Sequence, residues 1–370
     1  AVARSLKKDN YLVLETEAQG NVEWLAYPGQ LRLSAYSHIA NGASSVMYWN
    51  WHSIHNAIES YWKGVLSHDL TPHATYDEIK NFRQEFMPLE KKLKNLKKKA
   101  NVGILVDNAS LTGLDEFPIS DELNYNAILR AFADSCHELN IEYDLLYKAD
   151  SFDNYRLLIV PALYSASDEV LLKIKKYVKN GGHLLMSFKS AFSDDELKIY
   201  HDEQPHLLTE CIGATYDMFT VPKNVDIEFD SKIYPATEWI ELVTPKEAEI
   251  WASYKHQFWG NYAAITHNKY GDGTATYIGC YTEKCAIKKL LKKLSDVAKL
   301  PKSNLELPII KKCGVNEEGK NITFYFNYSS DTQTFTLDSA EGTELLSNTP
   351  VSKESNITLK PWDLVIIESL

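Results

Sequence analysis

Glu15 closes a short apolar run, Tyr11-Leu12-Val13-Leu14, and Glu17 follows two residues later. A carboxylate leaving the C-terminal end of a buried strand is where a β/α barrel keeps its catalytic groups. Four of the eight tryptophans, Trp24, Trp49, Trp51 and Trp62, fall in the stretch that follows. Indole faces suit the apolar face of a sugar ring, with the carboxylate facing its reacting carbon. Glycoside hydrolysis of the usual kind needs two carboxyls from different strands. Glu15 and Glu17 share a face if their strand continues, because side chains repeat every second residue. Neighbouring carboxylates can split their pKa values into an acid and a base. Two groups on one strand do not readily flank opposite sides of a glycosidic bond. The alternative reading of Glu15 is an ordinary strand-end glutamate in a salt bridge.

The loop from His52 to Trp62 is denser in functional groups than a connector requires, and loops on a rigid scaffold are where binding groups concentrate. His52 and His55, three apart and without a cysteine partner, are poor metal ligands and better hydrogen-bond donors to hydroxyls. Gly271-Asp272-Gly273 sits between strands and is a turn, not a phosphate cradle.

The elements that would position these groups fall into three regions. In residues 1–99 a strand at Tyr11–Glu15 precedes a helix with apolar Leu31, Leu33, Ala35, Ile39 and Ala40, ending near Asn41-Gly42. A second strand spans Val46–Trp51, or starts as early as Ser44. Thr75-Tyr76-Asp77-Glu78 has the form of a capping box. From Tyr76 through Ile79, Phe82 and Phe86 to Leu96, apolar residues recur at helical spacing, and Pro88 should kink or split that helix. This alternation is right for the last quarter of a barrel. Lys91–Lys99 reads as a solvated helix end that complements the helix dipole.

Residues 100–300 start afresh at Val102–Asp107 and alternate again, with strands at Ile141–Tyr147, Leu157–Pro161 and His183–Phe188 and helices near Asp121–Leu139 and Asp168–Val178. Such near-continuous apolar strands suit a parallel sheet covered on both faces. Tyr262–Ile265 and Thr274–Ile278 read as strands and Lys284–Leu300 as a closing helix. In residues 301–370, Ile322, Phe324 and Phe326 alternate with polar residues, as do Phe335 and Leu337, which marks a small antiparallel β domain.

At 370 residues the chain should hold two or three domains with ample core, and its apolar and charged fractions are those of a globular protein. A net charge of −11 argues against nucleic acid or an anionic membrane surface as partner. No apolar run approaches membrane-spanning length. The five cysteines, Cys136, Cys211, Cys280, Cys285 and Cys313, are scattered and read as reduced core thiols in a cytoplasmic protein. The sequons at Asn108, Asn321, Asn327 and Asn356 are of a kind that chance supplies readily. The opening Ala1-Val2-Ala3-Arg4, without initiator methionine or signal peptide, reads as the start of a cut fragment.

A resemblance runs through the chain. It is carried by Leu12-Val13-Leu14-Glu15, Val22-Glu23-Trp24, Pro28-Gly29-Gln30-Leu31-Arg32-Leu33 and Ala40-Asn41-Gly42-Ala43. Tyr48-Trp49-Asn50-Trp51, Glu59-Ser60-Tyr61-Trp62-Lys63-Gly64 and His68-Asp69 continue it. So do Asn101–Asp107, Val160-Pro161-Ala162-Leu163-Tyr164 and Gly181-Gly182-His183-Leu184-Leu185, ending at Pro361-Trp362-Asp363 in the last strand. Together these resemble the glycoside hydrolase family 42 β-galactosidases over essentially the whole chain.

The resemblance implies an α/β architecture. The last strands of a (β/α)8 barrel (1–99) precede a flavodoxin-like, amidotransferase-like parallel α/β trimerisation domain (100–300) and a small antiparallel β-sandwich (301–370). It implies that Glu15 is the nucleophile at the end of the seventh barrel strand. Trp24, displaced by one extra loop residue, would line the galactose subsite, and Glu59 would bind sugar hydroxyls. Trp62 stands where many members carry a histidine, so that sugar contact would differ. The acid/base glutamate, which follows an asparagine on the fourth strand, has no counterpart here, nor does the cysteine zinc site of some members. Lys189-Ser190-Ala191 follows the His183–Phe188 strand where amidotransferase chemistry would need a cysteine, so the middle domain is expected to be structural. The expectation is thus the C-terminal portion of a retaining β-galactosidase, without metal or organic cofactor, forming a homotrimer and acting on a galactoside. The rivals are a non-catalytic trimer-forming module and a sugar-binding module.

Overall fold

A computed structural model describes residues 2–20 and 24–370, so Val22-Glu23 of the quoted motifs lies outside the described residues. The chain forms two compact units, residues 1–99 with 303–370, and residues 100–302.

In the first unit α1 (Val2–Lys7) precedes β1 (Tyr11–Glu17), and α2 (Gln30–Ala40) carries the chain across to β2 (Ala43–Trp49), which pairs with β1 in parallel. Parallel neighbours require such a crossover. β2 was expected over Val46–Trp51. It starts earlier because Gly42, at φ 98°, reverses the chain immediately after the helix. It ends earlier because the carbonyls of Asn50 and Trp51 accept from the amides of Val65 and Leu66 instead.

The capping box at Thr75 is not formed. α3 (Ala74–Phe86) is capped by His73, whose Nδ1 accepts from the Thr75 amide at 3.3 Å. Glu78 instead takes the amide of Arg32, in the first turn of α2, at 2.9 Å. Pro88 does split the helix, into a 3-10 turn at Met87–Leu89 and a short α4 (Glu90–Leu93). The lysine run is a solvated helix end only in part: Lys91 and Lys92 lie in the last turn of α4, which stops at Leu93, and the rest follow the helix. Lys97 forms a backbone bridge with Val315, Lys92 pairs with Glu368 at 2.9 Å, and Lys98 Nζ donates to the Cys313 carbonyl.

The second unit carries β3 (Val102–Leu105), α5 (Asn108–Glu116), α6 (Tyr125–Glu138), β4 (Tyr143–Leu146), β5 (Leu157–Val160), α7 (Asp168–Lys179) and β6 (His183–Ser187). There follow α8 (Thr209–Ile212), β7 (Ala214–Thr220), β8 (Val225–Phe229), β9 (Lys232–Pro245), β10 (Glu249–Lys255), β11 (Ala263–Tyr270), β12 (Gly273–Ile278), β13 (Cys280–Thr282) and α9 (Lys284–Val297). One eleven-stranded sheet holds every strand of this unit, in the order β13-β9-β8-β10-β11-β12-β6-β5-β3-β4 with β7 beside β9. The sheet was expected to be parallel, and only the run β4-β3-β5-β6-β12 is. The remaining pairings are antiparallel. The β8–β9 hairpin turns on Asp230-Ser231, at φ 44° and 59°. That left-handed pair is the backbone that Asn-Gly usually announces, and without glycine it leaves no plain signal.

Residues 303–370 return to the first unit with β14 (Ile309–Val315), β15 (Asn321–Asn327), β16 (Gln333–Thr336), β17 (Gly342–Glu344), β18 (Thr349–Val351), β19 (Asn356–Leu359) and β20 (Leu364–Ser369). The five-stranded sheet β14-β15-β20-β17-β18 is buried on both faces. Phe324, Phe326 and Ile366 pack with Leu33 and Tyr36 of α2 and with Leu93. On the other face Tyr325 and Ile367 meet Phe335 and Leu359 of the β16–β19 pair. The residues between the phenylalanines of β15 are therefore core as well, not solvent-facing as their alternation suggested. Pro361-Trp362-Asp363 forms the turn before β20 and not part of the strand. Of the cysteines expected in the core, Cys136, Cys211 and Cys280 are buried, whereas Cys285 and Cys313 are exposed.

Among the described residues β1 pairs only with β2. Their outer face leaves Leu12 58%, Leu14 67% and Met47 49% exposed, whereas Ile104 on β3 is wholly buried. Local opening is easiest where little apolar surface is covered. In hydrogen exchange on this chain, the amides of Leu12–Leu14 are expected to exchange at least ~100-fold faster than those of Ile104–Val106. Equal protection at the two sites would overturn the expectation.

Candidate functional site

β1 is irregular where it carries its first carboxylate. Val13 pairs with Val46 and Thr16 with Tyr48, so three steps on β1 match two on β2. One extra residue therefore sits at Leu14-Glu15, a bulge of the kind that re-aims a side chain. The burial pattern follows from it: Leu12 and Leu14 are exposed, and then Glu15 and Glu17, with Val13 and Thr16 partly covered on the other side. The two glutamates share an exposed face, as the alternation implies, and the bulge puts them on the face of Leu12 and Leu14. Among the described residues neither has an ionic partner, so the salt-bridged strand end is not what the structure shows for Glu15.

Past β1 the chain is held tightly. Ala18, Gln19 and Gly20 are buried, and the Gln19 amide donates to the Gly64 carbonyl at 2.7 Å and lies 2.9 Å from His73 Nε2. Gly20, at φ 66°, is crowded by the Glu17 carboxylate, the Trp24 ring and the Trp24 carbonyl. A side chain at Gly20 would displace them, so Glu17 and Trp24 both lie against Gly20. Trp24 remains 40% exposed and presents indole to solvent.

The loop carrying Glu59 and Trp62 is closed by its own backbone. The Ser53 amide donates to the Leu66 carbonyl, the Ile54 amide to the Trp62 carbonyl, and the Trp62 amide to the Glu59 carbonyl at 2.8 Å. Ser53 Oγ donates to the Leu66 carbonyl and accepts from the Gly64 amide. Gly64 lies against the backbone of Asn50 and His52, where a Cβ would collide. The Lys63 amide donates to the Gly20 carbonyl, which ties this loop to the turn after β1. Glu59 is exposed and Trp62 half-buried. Glu15, Trp24, Glu59 and Trp62 thus sit on elements joined by backbone bonds, with Glu59 and Trp62 closing one turn.

His52 and His55 each commit one ring nitrogen to the backbone. His52 Nδ1 donates to the Ser53 carbonyl, His55 Nε2 to the His68 carbonyl at 2.6 Å, and His68 Nε2 to those of Ile54 and Ser60. The three rings contact in series, at 5.5 and 5.6 Å between centroids. They are struts of the loop. Among the described residues no group of three or more His, Cys, Asp or Glu could hold a metal ion.

Two groups escaped the sequence reading. Gln19 and His73 bridge the turn after β1 to the foot of α3, and nothing local marks a glutamine for that role. Arg32 is the second. Its Nε and Nη2 grip both oxygens of Glu85 at 2.8 and 3.1 Å, and its Nη1 donates to Asp363 at 2.9 Å. Tyr36 adds its hydroxyl to Glu85. Tyr27 stacks on Trp362 nearby, so the Pro28–Leu33 and Pro361–Asp363 motifs are one structure. A bidentate arginine of this kind fixes geometry, here that of the helix following the site.

Comparison with known proteins follows the same divisions. Residues 100–301 match the family model described as the β-galactosidase trimerisation domain, residues 1–89 one described as β-galactosidase, and residues 315–369 one described as the β-galactosidase C-terminal domain. The chain is 26% identical over 385 residues to the β-galactosidase LacZ of Lactobacillus acidophilus, covering 99% of this chain and 56% of that protein. It is 28% identical over 386 residues to that of Heyndrickxia coagulans, again over 99% and 56%. Among solved structures, the β-galactosidase of Bacillus circulans sp. alkalophilus superposes with a TM-score of 0.92 at 20% identity, over 99% of this chain and 56% of that one. That of Halorubrum lacusprofundi gives 0.86 at 24% identity, over 100% and 54%. The chain spans about half the length of the curated relatives it matches. No helix among the described residues is long and apolar enough to cross a membrane.

Proposed function

Since the chain belongs to the glycoside hydrolase family 42 β-galactosidases, we propose that residues 1–99 supply the closing part of a retaining β-galactosidase site, with Glu15 as its nucleophile. The observation that carries this reading is the bulge, which turns Glu15 out of its strand pairing beside a turn and loop bearing Trp24, Glu59 and Trp62. In the reaction, a Glu15 oxygen bonds to the anomeric carbon as the bond from that carbon to the leaving oxygen breaks. A second carboxylic acid protonates the leaving oxygen, then deprotonates the water that releases galactose, and the two carboxyls stand about 5 Å apart. Glu59 accepts from sugar hydroxyls, while Trp24 and Trp62 cover the apolar ring face. The chemistry requires no metal.

The acid/base group has to come from another strand. β2 is the one strand beside β1 among the described residues, and it carries no carboxylate. The same fact favours the second reading, a trimer-forming or sugar-binding module without catalysis. Trapping separates them. In the full-length protein that carries this segment, a 2-deoxy-2-fluoro-β-galactosyl donor with a good leaving group is expected to label the peptide containing Glu15. Label on another carboxylate, or none while the protein turns substrate over, would overturn the assignment.

Residues 100–300 are proposed to make the chain a homotrimer. The support is the match of residues 100–301 to a trimerisation-domain model. A closed cyclic assembly has a definite number of subunits. Sedimentation at micromolar concentration is expected to give three times the 42.1 kDa chain mass. A clean monomer would count against it.

A further inference from the structure

Lys189 occupies an unusual place in the second unit. It follows β6 in a left-handed turn, at φ 57°, and Ala162 after β5 and Ala191 share that rare conformation, at φ 38° and 54°. Non-glycine residues held there cost free energy and persist where the surroundings over-determine them. Here they do. The Lys189 amide donates to Glu241 Oε1 at 2.9 Å, Ser187 Oγ accepts from the Ala162 amide, and Ser190 Oγ accepts from the Leu163 amide. The turn lies at the carboxyl ends of parallel strands, which is where open α/β sheets bind ligands.

The side chain is held as firmly as the backbone. Nζ lies 3.8 Å from the ring centroid of Phe192, 4.2 Å from Phe219 and 4.4 Å from Trp239. These rings brace one another, Phe219 stacking on Trp239 at 5.0 Å and meeting Phe192 edge-on at 5.9 Å. Lys189 is 7% exposed, and Phe219 beside its amine is 43% exposed. Three rings wall the amine, and the residue keeps a small exposure to solvent.

We propose that Lys189 is a reactive amine that captures small aldehydes, open-chain reducing sugars among them, as a protonated imine inside the Phe192–Phe219–Trp239 cage. The neutral Nζ adds its lone pair to the carbonyl carbon, forming the C–N bond while a proton passes from nitrogen to the former carbonyl oxygen. The carbinolamine hydroxyl then takes a proton from solvent and leaves as water, so that C=N–H carries one positive charge. That product is a cation like the ammonium it replaces, so it keeps the attraction of the three rings. An acylated lysine would be neutral and would lose it. Burial pulls the Lys189 pKa down to about 8, against the field of Glu241, which holds it up. Glu241 lies below the turn, fully buried, and takes the Tyr277 hydroxyl at 2.6 Å. At pH 7.5 a group of pKa near 8 is roughly one-quarter neutral, against roughly one part in a thousand for an ordinary lysine. Lower basicity returns part of that gain.

The test is reductive trapping of the whole chain with cyanoborohydride as hydride source, followed by peptide mapping. Three arms are run: benzaldehyde, galactose, and methyl β-galactoside as a blank without a free carbonyl. Lys189 is expected to be modified by benzaldehyde at least about tenfold faster than any other lysine at pH 7.5, with a rate that rises through a midpoint near pH 8. Parallel modification by galactose would identify reducing sugars as the ligand, and its absence an apolar aldehyde; either supports reactive capture. Lys189→Arg keeps the cation and removes the nucleophile, so it should abolish the fast site without lowering the melting temperature. Modification of Lys189 at the rate of the surface lysines, or with their pH profile, would overturn the proposal. Mapping of the unsubstituted chain decides the matter even if the variant does not fold.

Discussion

The purified 370-residue chain is expected to hydrolyse an aryl β-galactoside at least ~10²-fold more slowly than a complete family member, because proton transfer to the leaving group contributes roughly 10²–10⁴-fold. Glu15 stands on a two-stranded sheet, and the partner strand, Ala43–Trp49, offers no acid. Glu17 shares the face of Glu15 but comes from the same strand, so it reaches a bound sugar from the same side. The measurement is kcat/KM with a nitrophenyl galactoside, for the chain and for Glu15→Gln. Turnover within tenfold of a complete enzyme, lost in Glu15→Gln, would sink the expectation and place the acid/base group inside this segment.

The second large effect belongs to Glu241. Three donors converge on its carboxylate in the interior of the mixed sheet: the Lys189 amide, the Trp239 indole at 3.2 Å and the Tyr277 hydroxyl. Burial pushes its pKa up, and the bonds from Tyr277 and the Lys189 amide offset only part of that rise. Glu241→Ala would strand those donors where water does not reach and would open a cavity. Each stranded group costs about 1–3 kcal/mol, so a loss of about 3–5 kcal/mol is expected from residues 100–302. Glu241→Gln, which keeps one acceptor, should lose about half as much. Urea unfolding of the two variants checks the order. A change below about 1 kcal/mol for alanine would show that the carboxylate is dispensable.

The same residue shows why half of that sheet was not legible. A glutamate in a strand reads as solvent-facing, and Glu241 is at the centre of the fold, made tolerable by partners 36 and 52 residues away in sequence. Around it β7, β9 and β10 mix exposed and buried positions without strict alternation, and Asp230-Ser231 gives the β8–β9 hairpin no glycine. By contrast Leu157–Val160 and Leu184–Met186 are wholly buried apolar runs, which only a covered parallel strand explains well. The site divides in the same way. Glu15 was visible as a carboxylate at the end of an apolar run. The work of Gln19 and Arg32 was not visible, because their partners lie tens to hundreds of residues away; the cap of the Ala74–Phe86 helix is local, two residues from Thr75, but histidine is not a usual N-cap residue.

What the chain's sequence determined unaided was the kind of elements and their order: a β/α stretch, an α/β domain and a β domain, with the glutamate and tryptophans in the first. These follow from local periodicity and turn chemistry, which act over a few residues. Only the tertiary structure decided where side chains point and what they meet. One extra residue in β1, set by pairing with a strand thirty residues on, turns Glu15 out of its ladder. The histidines became loop struts and Lys189 entered a ring of aromatics for the same reason. Distances of a few ångströms between residues remote in sequence depend on how the core closes, and local pattern carries no information about that.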